Sequence, residues 1–103
     1  MIPIVVRRWA EVDVENAKAW YARDDEQIGV RFVHEFAATV DRIAALPDQF
    51  PEVSTRVRRA LLHHFPYATY FVRREDVSVV IAVPYQHRRP GRWKSRLKLE
   101  EAG

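Results

Sequence analysis

Apolar residues change their spacing several times along this chain, and each change marks an element. Residues 2–7 (Ile-Pro-Ile-Val-Val-Arg) are short, β-branched and apolar, which predicts a first strand with Pro3 at its start or on an edge. From about Ala10 the spacing becomes helical. Val14, Ala17 and Tyr21 recur, with Val12 and Trp20 nearby, while Glu11, Asp13, Glu15, Lys18 and Arg23 mark the polar side. The carboxylates at 11, 13 and 15 are expected in the first turn, where the helix dipole favours them. Asp24-Asp25-Glu26 closes this helix and Gly29 marks the break. A second helix carries Phe32, Phe36, Val40, Ile43 and Leu46 on one stripe, and Pro47 stops it before a loop at 47–51.

The period then shortens. Residues 56–64 read as a strand with Arg56, Arg58 and His64 on one side, followed by a Phe65-Pro66-Tyr67 turn. A second strand spans 68–73, Arg74-Glu75-Asp76 connects it, and residues 77–83 form a third. Because 79–83 shows no polar alternation, that strand is expected to be covered on both faces and central. Turns this short make antiparallel neighbours. The pattern predicts an α+β fold, β-α-α-β-β-β, in which an N-terminal helical hairpin packs on a small, mostly antiparallel sheet. At 103 residues the chain is expected to be a single domain, 1–103.

Composition narrows the chemistry. A hydrophobic fraction of 48% favours a folded globule over disorder. There is no cysteine, hence no disulfide and no thiolate, and no signal-peptide pattern or long apolar run. A cytoplasmic protein is the expectation, without a membrane partner. The histidines (34, 63, 64 and 87) form no HExxH, and His63 and His64 on one strand would point to opposite faces, so no metal is expected. Three scattered glycines exclude phosphate-cradling loops, and no cofactor is implied. Ser54, Thr55, Ser78 and Ser95 sit in no nucleophile elbow, and Glu35 and Asp41 lie on a helix face read as structural.

Charge supplies the positive signal. Residues 1–52 carry six Lys/Arg against ten Asp/Glu, net −4; residues 53–103 carry eleven against four, net +7, and the halves together give the chain's +3. The densest segment is 87–98, with six Lys or Arg (88, 89, 92, 94, 96 and 98), His87, Trp93 and no carboxylate. It follows directly on the apolar strand, which would deliver it to the surface to meet an anionic or flat partner. Arg56, Arg58 and Arg59 on one strand and Arg88, Arg89, Arg92, Lys94 and Arg96 after another could share a face. Trp93 or Tyr85 could stack on a base or a guanidinium; alternatively Trp93 folds back over the sheet edge and the arginines pair with helix carboxylates.

The motif order Asp13-Val14…Ala17…Trp20-Tyr21, Phe32, Ile43…Pro47, Phe65-Pro66-Tyr67…Tyr70 and His87-Arg88-Arg89-Pro90…Trp93…Arg96 resembles the RelE/ParE toxin superfamily over nearly the whole chain. The resemblance implies the toxin of a type II toxin–antitoxin pair, associated with plasmid stabilisation and growth arrest, in a hetero-oligomer with its antitoxin. The antitoxin would present an acidic or amphipathic C-terminal segment. RelE-like members cleave mRNA on the ribosome with basic strand residues and, commonly, a C-terminal tyrosine; ParE-like members act on DNA gyrase. No aromatic follows Trp93, and the central basic positions are arginines rather than lysines, so the chain looks ParE-like. The resemblance then implies target or antitoxin contacts at Arg56, Arg58, Arg59, Tyr85, His87, Arg88, Arg89, Arg92, Trp93 and Arg96. A RelE-like ribosome-dependent endoribonuclease would instead use Arg56, Arg58, Arg88 and His87, with His87 and Tyr85 as candidate acid or base. A non-toxic basic interaction module is the third reading.

Overall fold

The computed structural model describes residues 1–87 and 91–102. The elements run β1 (Ile4–Val6), α1 (Arg8–Ala22), α2 (Glu26–Ala45), a 3-10 turn (Pro47–Gln49), β2 (Glu52–Ser54), β3 (Val57–Leu61), β4 (Ala68–Arg73), β5 (Ser78–Ala82) and α3 (Gly91–Ala102). Five strands form one sheet ordered β1-β5-β4-β3-β2, antiparallel except where β1 lies parallel to β5. The fold is α+β with a helical hairpin on a mostly antiparallel sheet, as the periodicity predicts. Two elements were not expected: the short edge strand β2 and the C-terminal helix α3.

That helix explains the strand without alternation. All five residues of β5 are buried. On one face Val80 and Phe71 pack with Ala10 of α1 and Ile43 of α2; on the other, Val79, Ile81 and Val72 pack with Trp93 and Leu97 of α3. The sheet is therefore the middle of three layers. A bulge serves the second face: Tyr70 pairs with Ala82 but Phe71 pairs with Val80, so Ile81 is an extra residue. Ile81 and Ala82 both join the cluster beneath α3. The strand ends before Pro84, which has no N–H for the ladder, although its carbonyl accepts from Ala68 N at 3.1 Å.

The hairpin corrects two expectations. Gly29 does not break the helices; it lies inside α2, and Asp25 makes the boundary by accepting from Gln27 N at 2.9 Å as an N-cap. Gly29 instead permits close packing, since a Cβ there would stand 2.8 Å from the Lys18 carbonyl oxygen and 3.2 Å from Ala22 Cβ on α1. Of the three early carboxylates only Glu11 lies in the first turn of α1. Glu15 pairs with Arg8 at 2.7 Å, and Asp13 is buried.

The strand predicted over 56–64 is shorter at both ends. Arg56 occupies a left-handed turn conformation (φ 64°) between β2 and β3, and His63 and His64 lie in bends after β3. Within β3 the faces alternate: Val57 joins the α3-side cluster and Ala60 the hairpin-side cluster. Arg58 and Arg59 therefore point to opposite faces, not one.

The far end of α3 is fastened by a buried carboxylate. Glu100, 3% exposed in its side chain, receives Arg7 Nε at 2.7 Å and Nη2 at 2.9 Å, and Arg74 Nη2 at 2.7 Å. The Arg7 hydrogen bonds hold the Glu100 carboxyl below the usual carboxylate range; burial opposes this and Arg74 adds to it. A depressed folded-state pKa gives stability that is present above the unfolded value of about 4.3 and is lost as pH falls through the folded one. We expect the stability gap between the wild type and Glu100→Gln, read by urea denaturation, to shrink as pH is lowered from about 5 to 3; a constant gap would contradict this linkage. For Gly29→Ala we expect net destabilisation. Overpacking against a backbone carbonyl costs about 1–3 kcal/mol, against a helix-propensity gain of about 1 kcal/mol. Thermal denaturation should show a lower Tm, and an unchanged or raised Tm would show that the helices spread freely.

Candidate functional site

Asp13 joins three elements. It belongs to the buried stripe of α1 with Ala10 and Ala17, so its carboxylate faces the protein interior. There Oδ2 accepts from Val83 N at 2.9 Å, just past the end of β5. Arg92 Nη1 donates to Oδ1 at 2.9 Å. Arg96, one turn along α3, grips both oxygens at 3.1 Å and also donates to the Ile81 carbonyl at 2.9 Å. Such a forked, charge-assisted contact is directional as well as strong. Trp93, between these arginines in sequence, is consequently turned to the sheet. It is 5% exposed and stacks on Tyr70 with centroids 5.3 Å apart and planes 10° apart.

Among the described residues, the predicted cations are not gathered into one patch. Arg56 pairs with Glu101 at 2.9 Å near the end of α3. Arg58 donates to the Phe50 carbonyl at 2.6 Å and the Asp48 carbonyl at 3.2 Å, bracing the 3-10 turn. Arg59 is half-buried on the other face of β3. Arg92, Trp93 and Arg96 hold α3 in place, while Lys94 and Lys98 face solvent. Arg88 and Arg89 lie outside the described residues.

Tyr85, His87 and Arg92 do converge. They form one side of a cleft of about 720 Å³ whose other wall is α1, with Asn16 and Trp20. Tyr85 pairs with Tyr67 as an isolated bridge, the rings 5.6 Å apart edge to face, and the exposed His87 ring stands 5.1 Å from Tyr85. Behind them Tyr21, Phe65 and Phe32 continue the aromatic series. Burial first, then the neighbouring Tyr67 and Tyr85, raise the Tyr21 phenol above its usual pKa, so it stays protonated. Elsewhere, Glu35 of α2 accepts from the His64 backbone and contacts His64 Nδ1 at 3.0 Å. Burial pushes that carboxyl up, but the His64 hydrogen bonds outweigh it and its pKa is lowered. Among the described residues no group of three or more His, Asp or Glu is placed to hold a metal ion, and no helix is long and apolar enough to cross a membrane.

No protein-family model matches the sequence, and no curated protein matches it. Among solved structures, a chain from "Chromosomal ParDE TA system from P. aeruginosa" aligns with a TM-score of 0.74. The alignment covers 82% of this chain and 96% of that one, at 16% identity. The fold is RelE/ParE-like. At that identity the likeness concerns the arrangement of the backbone, and the chemistry rests on this chain's own side chains.

Those side chains divide into two sets. The Asp13 ion cluster is an anchoring device, since its carboxylate is saturated by Val83 and two arginines. The cleft above it combines exposed rings with polar groups, which is the composition of a binding site. The sequence named Tyr85, His87 and Arg92 as contact residues, marked Asp13 and Trp20 only as motif positions, and gave no sign of Asn16. Asp13 did leave a signal, being a carboxylate three residues after Ala10 and four before Ala17, on the face that must be buried. We expect Asp13→Asn to destabilise the protein by about 3 kcal/mol, because Arg96 is left mostly buried without a charge partner. Arg92→Gln should cost clearly less, Arg92 being more exposed. Urea denaturation of both variants checks the order, and equal losses would contradict the central role given to the Arg96 fork.

Proposed function

We propose that this chain is the toxin of a type II toxin–antitoxin pair, ParE-like, which inhibits DNA gyrase by binding and is neutralised by a cognate antitoxin. The observation that carries this reading is the shared fold, over 82% of this chain, with a chain of the ParDE system. The disposition of the cations supports binding rather than RNA cleavage. A nuclease would need Arg56, Arg58, Arg88 and His87 to act together on one phosphate. Arg58 is engaged by two backbone carbonyls, and Arg56 sits beside Glu101 at the end of α3 whereas His87 lines the cleft with Arg92 near the start of that helix, which sets these groups apart.

On this reading residues 1–103 act as one toxin domain in the cytoplasm. The antitoxin lays an acidic or amphipathic C-terminal segment against the basic segment 87–98, of which Lys94 and Lys98 are exposed. Opposite charge there speeds encounter and sets the partner. Induced alone in bacteria, the chain should arrest growth, with a DNA-damage response and loss of gyrase supercoiling in extracts. Co-expression of the antitoxin should restore growth. Arrest accompanied by cuts in ribosomal A-site codons would replace gyrase with the ribosome, and unimpaired growth would remove the toxin reading altogether.

A further inference from the structure

We propose that the cleft between α1 and the segment following β5 binds a purine nucleotide, with its base against Trp20 and Tyr85 and its phosphate beside Arg92 and His87. This goes beyond the toxin reading and does not depend on it.

Four observations converge on that ligand. The first is size: about 720 Å³ lies within the range of about 300–1,000 Å³ usual for small-molecule clefts. The second is exposed aromatic surface. Trp20 is 61% exposed and Tyr85 37%, although both line the same cleft. Large flat rings partly exposed on the walls of one cleft suit a flat guest, because a nucleobase can stack on an indole or a phenol.

The third observation is charge. Asp13, on the cleft wall, is answered by both Arg92 and Arg96, which leaves this ion cluster with a net positive charge. Arg92 uses Nη1 for Asp13, and its side chain is 39% exposed, so further guanidinium N–H groups can reach an anion. Arg23 places a second cation beside Trp20, its guanidinium 5.1 Å from the ring centroid. A cationic or purely apolar guest is therefore disfavoured. The fourth is a readout group. Asn16 lines the cleft on the same helix as Trp20, and its amide offers a donor and an acceptor side by side, the pattern that pairs with the N6 and N7 edge of adenine. Flat, anionic and edged with donor and acceptor together describe a purine nucleotide, either free or as an unstacked residue of a single strand.

The test uses the full chain in isothermal titration with adenosine 5′-monophosphate, cytidine 5′-monophosphate, ribose 5-phosphate and a short oligoadenylate. We expect adenosine 5′-monophosphate to bind better than the other two monomers. Trp20→Leu, at a largely exposed position whose loss leaves the core intact, should weaken it about tenfold or more, the size of one lost base–aromatic stack. Asn16→Ala should bring the adenine and cytosine nucleotides closer together in affinity. Binding of oligoadenylate alone, with the same sensitivity to Trp20→Leu, would identify a strand as the source of the nucleotide. Binding of the monomer would identify the free form. Equal affinity for ribose 5-phosphate, indifference to Trp20→Leu, or no binding of either adenine ligand would overturn the proposal. A chain that arrests growth yet ignores all these ligands keeps the toxin reading and loses this one.

Discussion

A buried carboxylate in a small protein must be matched by hydrogen bonds and opposite charge, or the fold pays heavily for its desolvation. Asp13 meets that constraint with three partners from two places: the backbone just past β5, and two arginines one turn apart on α3. Satisfying the one carboxylate therefore sets the position of α1 against the sheet, the point where β5 stops, and the rotation of α3. Trp93 follows from that rotation. With Arg92 and Arg96 drawn to Asp13, the indole between them lies flat on Tyr70 and closes the second face of the sheet.

Glu100 repeats the logic at the other end of the same helix, gathering Arg7 from the β1–α1 junction and Arg74 from the β4–β5 turn. Between them, Asp13 and Glu100 hold four arginines. An excess of cations in the C-terminal half thus does two jobs that composition cannot separate. Some guanidinium groups are internal fasteners, and the lysines at 94 and 98 remain exposed on the outside of α3. The same division separates the anchoring cluster from the aromatic cleft, which shares Arg92 with it.

The hairpin, the meander of strands and the doubly covered β5 were all legible in the sequence. Helical spacing at Phe32, Phe36 and Ile43, and the unbroken apolar run at 79–83, leave few ways to bury those residues. Local readings failed where a residue's role was set by something distant. Gly29 looked like a breaker because glycine is a poor helix former, whereas its lack of a side chain admits the Lys18 carbonyl of the neighbouring helix. Asp13 looked like a first-turn carboxylate, and Arg58 and Arg59 like members of one surface. The segment after Gly91 held polar residues without a strong stripe, so only contact with the sheet reveals it as a helix.

What the sequence by itself determined was the class of fold and the charge asymmetry, because periodicity and composition are local properties that survive without knowledge of any contact. The tertiary structure alone decided which cations are occupied and which are free, since an ion pair between residues 13 and 96 depends on chain geometry that no short window contains. It also decided where the cleft lies. Asn16 and Trp20 are separated from Tyr85 and His87 by most of the chain, and they face one cleft only because α1 is fastened beside the end of β5.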